Sequence, residues 1–238
     1  MPLWHFHYSR LQAAAKLLRL KLNPAWTSAY LEKQLNAHAH AEQASSVRMR
    51  LTVYRKGRGK YSPETNEAAY LIEAEPLTAN PLEFKEKGLS VEIYLEHKKP
   101  LQALSNIKSA NALLFVLAAI YKQDSNLDDC LLLNSESRLA EAISSNVFIV
   151  KDNLVLTPLL AEGCVAGCMR ALLLQLMEQH GQAYHETRIS INEVKTADEI
   201  FICNAVQGIQ WVQYWDTLQF KNKASRKIHT WLADYLNA

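Results

Sequence analysis

The order of three segments in the second half of the chain constrains the fold most. Lys108 lies in IKSANALLFVLA, just before the apolar helical part of that stretch. Glu141 lies in the strand-like stretch EAISSNVFIV. Gly163–Arg170 is the start of EGCVAGCMRALLLQLMEQ, which has a helical pattern. Apolar residues at helical spacing alternate in this region with short apolar runs that are bounded by turn residues. The alternation predicts an α+β fold in which helices pack on a mixed sheet.

The first hundred residues have a simpler pattern. The predicted elements are helices over 9–21 and 25–40 and strands over 47–55, 68–74 and 90–95. The sequence Lys98-Lys99-Pro100 is a polar break that contains a proline, which is typical of a connection between domains. We therefore expect a small α+β domain over residues 1–100.

A larger domain is predicted over residues 101–238. Its predicted elements are helices over 109–121, 165–180, 194–198 and 224–236 and strands over 130–133, 139–150, 154–156, 183–191 and 200–204. Gly181 follows the second of these helices directly, at the position where a left-handed residue commonly ends a helix. Strands and helices of this kind predict a larger mixed sheet.

Composition excludes several classes of protein. The formal net charge is +2 with 21% charged residues, so no basic field indicates nucleic-acid binding. The apolar stretch Ala112–Tyr121 is too short to span a membrane, and no secretory signal is expected in residues 1–10. The four cysteines form no C-x-x-C pair, which indicates reduced thiols in a cytoplasmic protein. The histidine pairs of HFH and HAH lack further ligands at a suitable spacing, so no metal site is predicted.

Short motifs between about His7 and Val212 are those of one enzyme family. In order, they are HYSRLQAA, VRMRLTVYRKGRGKYS, IKSANALLFVLA, LAEAISSNVFIV, LVLTP, GCVAGCMR, KTADEIFICNA and GIQWV. The chain resembles the class IV, fold-type IV pyridoxal-phosphate enzymes, which include branched-chain and D-amino-acid aminotransferases and 4-amino-4-deoxychorismate lyase. The resemblance implies a two-domain fold like that of D-amino-acid aminotransferase, pyridoxal 5'-phosphate as cofactor, a small-molecule amino substrate, and a homodimer.

The resemblance also implies two roles in the reaction. Lys108 matches the Schiff-base lysine, whose amine forms an imine with the cofactor and then moves protons at the reacting carbon. Glu141 matches the acid that pairs with the pyridine nitrogen and keeps the ring protonated, so that the ring can accept electrons. Strand alternation places Glu141 on the same side as Leu139 and Ile143.

The phosphate of the cofactor is expected at two turns. Five residues match the turns that bind it in the family: Gly167, Cys168 and Met169 in the first, and Asn204 and Ala205 in the second. Backbone N–H groups at the start of a helix bind a dianion without a charged side chain. Arg10, in HYSRL, matches an arginine that reaches the phosphate, where a planar guanidinium suits two oxygens.

Departures from the family pattern bear on the reaction. Met169 and Ala205 stand where the aminotransferases often carry hydroxyl residues, whereas the lyase branch tends to have methionine and Cys-Asn-Ala there. The sequence SANALL after Lys108 lacks the tyrosine that is usual in branched-chain enzymes. Family members normally have further residues before H-x-x-R-L, so the small domain is expected to lack its first strands.

These observations favour 4-amino-4-deoxychorismate lyase, which releases pyruvate and forms 4-aminobenzoate for folate. Two alternatives stay open. An aminotransferase acting on D- or branched-chain amino acids would use the same residues, and a short N-terminus would leave only a non-catalytic scaffold. Four arginines of the small domain either bind a substrate carboxylate or form a solvated strand face, and they are given no role: Arg48, Arg50, Arg55 and Arg58.

Overall fold

The computed structural model describes residues 1, 3–77 and 83–237 and divides into two compact units. Met1–Pro81 is the first unit and Leu82–Ala238 is the second. This division differs from the boundary predicted at Lys98–Pro100. The physical reason is the strand Leu89–Lys99, which hydrogen-bonds into the sheet of the second unit.

The described part of the N-terminal unit contains two helices and one antiparallel pair of strands. They are α1 (Trp4–Leu17), α2 (Ser28–Ala41), β1 (Val47–Arg55) and β2 (Ala68–Pro76). The side chain of Thr27 accepts a hydrogen bond from the backbone N–H of Tyr30 and caps α2. Helix α1 begins earlier than predicted, at Trp4, because this side chain is buried in a core with Leu31 and Leu35.

The described part of the C-terminal unit is a mixed sheet with four α-helices. Its elements are β3 (Leu89–Lys99), α3 (Leu113–Asp124), β4 (Asp129–Asn134), β5 (Leu139–Ala142), β6 (Asn146–Lys151), β7 (Leu154–Pro158), α4 (Cys168–Gln179), β8 (Tyr184–Thr187), α5 (Ile191–Lys195), β9 (Glu199–Asn204), β10 (Gly208–Trp215), β11 (Leu218–Gln219) and α6 (Lys223–Asn237). Short 3-10 helices lie at Ala103–Asn106 and Leu160–Glu162.

The strand order of this sheet is β5-β4-β3-β10-β9-β6-β7-β8, with β11 added beside β10. The pairs of β3 with β4, β3 with β10 and β7 with β8 are parallel, and the other pairs are antiparallel. Alternate residues of β4 face opposite cores. Leu131 and Leu133 belong to the larger apolar core, whereas Cys130 and Leu132 pack toward α3.

The sheet differs from the prediction in two places. The single strand predicted over 139–150 is two strands, because a turn in which the N–H of Ala142 donates to the carbonyl of Ser145 at 2.8 Å separates β5 from β6. Strand β5 pairs with β4, and β6 pairs with β9. Strand β10 was not predicted, and it joins β3 to β9 at the middle of the sheet.

Candidate active site

Lys108 lies in an exposed loop between the 3-10 helix Ala103–Asn106 and α3. Asn106 attaches this loop to the segment that precedes α4. Its Nδ2 donates to the carbonyl oxygens of Leu160 and Cys164, each at 2.7 Å, and its own carbonyl accepts from the N–H of Ala166 at 3.0 Å. The loop that carries Lys108 is therefore fixed against the start of α4.

Glu141 is buried on β5, where 3% of the residue is exposed. Its Oε1 accepts a hydrogen bond from Nζ of Lys99, and its Oε2 accepts from the backbone N–H of Val165 at 2.8 Å. Burial raises the pKa of Glu141, while the charge of Lys99 and its hydrogen bond, the Val165 N–H and the charge of Lys108 oppose this rise. The charge of Lys108 therefore acts on this carboxyl group, as the prediction that both residues contact one cofactor requires.

Lys99 is a member of this site that sequence reasoning missed. It is the last residue of β3 and 4% exposed, and its Nζ lies 5.3 Å from the ring centroid of Phe115 on α3. In the sequence, Lys99 lies within the polar break Lys98-Lys99-Pro100. The four preceding residues, 95–98, are exposed, so strand alternation did not single out Lys99 as a buried residue.

The first predicted phosphate turn lies at the start of α4. Gly167 is the N-cap residue, and among the described residues no side chain caps this helix. A Cβ atom at Gly167 would lie 1.9 Å from Oδ1 of Asn146 at the start of β6. Only glycine therefore allows the turn to approach β6 this closely. Cys168 and Met169 follow as the first two helical residues, and both are buried.

The second predicted turn connects β9 to β10. Oδ1 of Asn204 accepts the backbone N–H groups of Val206 and Gln207 at 2.9 and 2.8 Å, which folds the turn. Ala205 is exposed within it and has no hydroxyl group.

Two adjacent residues at the start of β6 connect the two turns. Oγ of Ser145 accepts from Nδ2 of Asn204 at 2.9 Å, while Nδ2 of Asn146 donates to the carbonyl of Val165 at 2.8 Å. Val165 also contacts Glu141. The structure thus brings together the predicted site residues of the C-terminal unit: Lys108, Glu141, Gly167, Cys168, Met169, Asn204 and Ala205.

Arg10 belongs to the N-terminal unit, where it lies half-buried on α1. Its Nη2 lies 3.4 Å from Nδ1 of His7, and burial together with the charge of Arg10 lowers the pKa of His7 to about 4. The role of Arg10 toward the phosphate stays a prediction. Two of the remaining arginines pair across the β1–β2 ribbon, Arg48 with Glu75 at 2.8 Å and Arg50 with Glu73 at 3.8 Å.

The cysteines near the site are packed side chains. All four cysteines are free thiols and buried. Burial raises the pKa of Cys164 to about 11 and that of Cys130 to about 12, so neither is a reactive thiolate at neutral pH. In the described residues, no group of three or more metal-binding side chains is arranged around a common point. The helices described here include none that is both long and apolar enough to cross a membrane.

The family model for class IV amino-transferases matches residues 1–215. The chain belongs to this family. It is 27% identical over 207 residues to the aminodeoxychorismate lyase of Vibrio harveyi, which covers 87% of this chain and 75% of that protein. It is 35% identical over 100 residues to a branched-chain-amino-acid aminotransferase of Pseudomonas aeruginosa, which covers 42% of this chain and 31% of that protein.

Among solved structures, the chain is similar to the 4-amino-4-deoxychorismate lyase from Pseudomonas aeruginosa. The TM-score is 0.86 at 29% identity, over 99% of this chain and 86% of that chain. The predicted α+β, fold-type IV architecture is therefore confirmed. This chain is a pyridoxal-phosphate-dependent enzyme of the class IV family.

The residues of the C-terminal unit fit pyridoxal phosphate. A buried carboxyl group suits a protonated ring nitrogen, and an amine within its electrostatic reach suits an aldehyde. The start of α4 has backbone N–H groups in place of a side-chain cap, beside a glycine that a Cβ could not replace without displacing Asn146. The site thus has a carboxyl group for the ring nitrogen, an amine for the aldehyde and a helix start for the phosphate.

Proposed function

We propose that the chain is a 4-amino-4-deoxychorismate lyase, which eliminates pyruvate and forms 4-aminobenzoate. The observation that carries the proposal is the identity over most of the chain, which is 27% and 29% for two lyases but 24% and 22% for two branched-chain aminotransferases that match a similar length. The phosphate turns agree with it, because Met169 and Ala205 carry no hydroxyl groups where the aminotransferases often do.

Lys108 and Glu141 would act on the ring and aldehyde of the cofactor. Bound pyridoxal phosphate supplies an electrophilic aldehyde and a ring that accepts electrons. Lys108 would hold the aldehyde carbon through Nζ and, when the substrate amine replaces it, take and return the proton at the reacting carbon. Glu141 would hold a proton at the ring nitrogen.

The phosphate end needs different groups. The backbone N–H groups at Gly167, Cys168 and Met169 would bind the phosphate at the start of α4, where the helix dipole favours an anion. The turn at Asn204 and Ala205 would contact it from β9, and the guanidinium of Arg10 would add a charged donor.

The second candidate is an aminotransferase acting on D- or branched-chain amino acids. One observation favours it, the higher identity to a branched-chain-amino-acid aminotransferase over a shorter stretch of this chain. It would use the same lysine and glutamate, but it requires a keto acid as amino acceptor, which the lyase does not.

The test is a turnover assay with the purified chain, pyridoxal phosphate and 4-amino-4-deoxychorismate. We expect pyruvate to form without an added keto acid, and Lys108→Met to lower the rate by roughly 10²- to 10⁴-fold. Lys98→Met is the matched control, since Lys98 is exposed and donates only to Oγ of Ser137, at 2.6 Å, in the contacts observed. Amino transfer that depends on a keto acid, without pyruvate elimination, would replace the lyase proposal by the second candidate.

We also propose that the chain forms a homodimer in the cytoplasm. Three apolar side chains of α3 are exposed at helical spacing, Leu113, Val116 and Ile120, with exposed fractions of 68%, 51% and 48%. A second copy of the chain would cover such a face. Sedimentation velocity of the chain and of Val116→Glu tests the dimer. The four free thiols support the cytoplasmic location, because the cytoplasm is a reducing compartment.

A further inference from the structure

Lys99, the buried partner of Glu141, has no role in the reaction described so far. Both side chains are almost completely buried, with 5% and 4% of their surfaces exposed. Nζ of Lys99 donates to Oε1 of Glu141, and the backbone N–H of Val165 occupies Oε2. The carboxyl group assigned to the ring nitrogen therefore already has a cationic partner from its own chain.

A buried ion pair stabilises a fold little. Desolvation of the two charges offsets much of their attraction, and well-packed apolar residues often stabilise a fold equally well. Removing only one partner destabilises the fold strongly, because the other charge then stays buried without an opposite charge. Lys99 thus makes it possible for Glu141 to be buried and oriented before any cofactor binds.

The same carboxyl group can accept further hydrogen bonds. A carboxylate offers about four acceptor positions on its two oxygens, and Lys99 and Val165 use one position on each. A protonated ring nitrogen would occupy another. Two cations would then share one carboxylate, and each would weaken the attraction that the other gains from it.

We propose that Lys99 is a positioning residue that holds Glu141 in the cofactor-free chain and competes with the ring nitrogen of the cofactor for its carboxylate. The proposal rests on the assignment of Glu141 to the ring nitrogen. It implies that Lys99 lowers the affinity for the cofactor and lowers the protonated fraction of the bound ring.

A merely structural role predicts the opposite sign. If Lys99 only supported the fold, its removal would loosen the site and weaken cofactor binding. If Lys99 competes, its removal leaves Glu141 without a cation until the cofactor arrives, so binding becomes tighter while the cofactor-free chain becomes less stable. The sign of the change in affinity therefore separates the two roles.

The experiment measures binding of pyridoxine 5'-phosphate, which lacks the aldehyde and cannot bond to Lys108. The variants are Lys99→Met, the neighbouring control Lys98→Met, Glu141→Gln, and Lys99→Met combined with Glu141→Gln. We expect Lys99→Met to bind roughly 10-fold more tightly than the natural chain, a coupling of ordinary size between neighbouring groups. The ultraviolet spectrum of the bound ring should show a larger protonated fraction. Lys98→Met should match the natural chain in both readouts.

The double variant completes the test. With Glu141→Gln in place, Lys99→Met should no longer tighten binding, because the shared carboxylate is absent. Weaker or unchanged binding by folded Lys99→Met would overturn the role of Lys99, while binding by the natural chain would leave the cofactor site standing. If the natural chain bound neither pyridoxine phosphate nor pyridoxal phosphate, the site and the role of Lys99 would both fall.

Discussion

Glu141 and Glu162 are two buried glutamates with opposite electrostatic surroundings. Glu162, 2% exposed, accepts hydrogen bonds from Nδ2 of Asn134 at 2.8 Å and from Nη2 and Nε of Arg138, and Arg188 lies 3.4 Å away. Burial alone would raise its pKa, but the hydrogen bonds from Arg138 and Asn134 and the two arginine charges outweigh burial and lower it. For Glu141, burial outweighs one lysine and one backbone N–H, and the pKa is raised.

The difference separates a structural carboxylate from one that is suited to binding. The polar contacts of Glu162 fix its charge and leave little for a ligand to add. Glu141 retains acceptor capacity and lies within the electrostatic reach of an exposed amine, that of Lys108. A buried acid with a raised pKa beside such an amine is a combination found often at active sites.

Substitution of Glu162 should change the stability of the chain more than the other substitutions below. Glu162→Gln removes the buried charge that Arg138 and Arg188 share and leaves Arg138 with only its exposed partner Glu136, so the free energy of unfolding should fall by about 3 kcal/mol. Denaturant unfolding measures it. Glu136→Gln is the control, since Glu136 is an exposed partner of the same arginine and should change stability by less than about 1 kcal/mol. Equal losses in the two variants would contradict the structural role of Glu162.

Gly167→Ala should have a smaller effect on stability and a specific effect on the site. The new Cβ would meet Oδ1 of Asn146, whose side chain is held by Val165, so the turn must shift at a cost of about 1–3 kcal/mol. Cofactor affinity should fall as well, since this turn is the proposed phosphate site. Titration with pyridoxal phosphate measures it.

Gly181→Ala is the matched control for this substitution. Gly181 has φ +65° and open space around its Cβ position, so alanine there costs about 1 kcal/mol through backbone strain alone. Its cofactor affinity should stay unchanged. An affinity loss of the same size in both variants would mean that the turn at Gly167 has no special role.

The smallest effect is on the pH dependence of stability. In the cofactor-free chain, Glu141 and Glu162 should contribute to it with opposite signs. The lowered pKa of Glu162 adds stability that is present above the ordinary value of 4.5 and is lost as pH falls through the folded pKa. The raised pKa of Glu141 acts oppositely, so stability is lost as pH rises from 4.5 through the folded pKa. Each slope is at most about 1.4 kcal/mol per pH unit.

Subtracting the unfolding free energies of Glu162→Gln and Glu141→Gln from that of the natural chain isolates each contribution. The difference for Glu162 should grow with rising pH on the acid side of 4.5, and the difference for Glu141 should shrink on the alkaline side. Two profiles of the same sign would remove the distinction between the two carboxylates.

The sequence predicted the parts of the fold that depend on local periodicity. Strand β1 has the predicted bounds, Val47–Arg55, because apolar and polar residues alternate in its sequence from Val47 to Val53. Alternation was expected to place Glu141 on the same side of its strand as Leu139, and both residues are buried. The contacts that assemble the site were not predictable, because they join distant residues: Asn106 to Cys164, Ser145 to Asn204, and Lys99 to Glu141. Strand β10 was missed for a related reason, since its place depends on pairing with β3 and β9.

Lys108 is expected to bind the cofactor covalently beside Glu141, although Lys99 is the lysine that contacts this carboxyl group. The most direct measurement is borohydride reduction of the chain with pyridoxal phosphate, followed by mass spectrometry of its peptides. We expect the phosphopyridoxyl group on Lys108 alone, with Lys99 unmodified, and no fixed label in Lys108→Met. A label on Lys99, or none in a folded chain, would show that Lys108 is not the lysine that binds the cofactor.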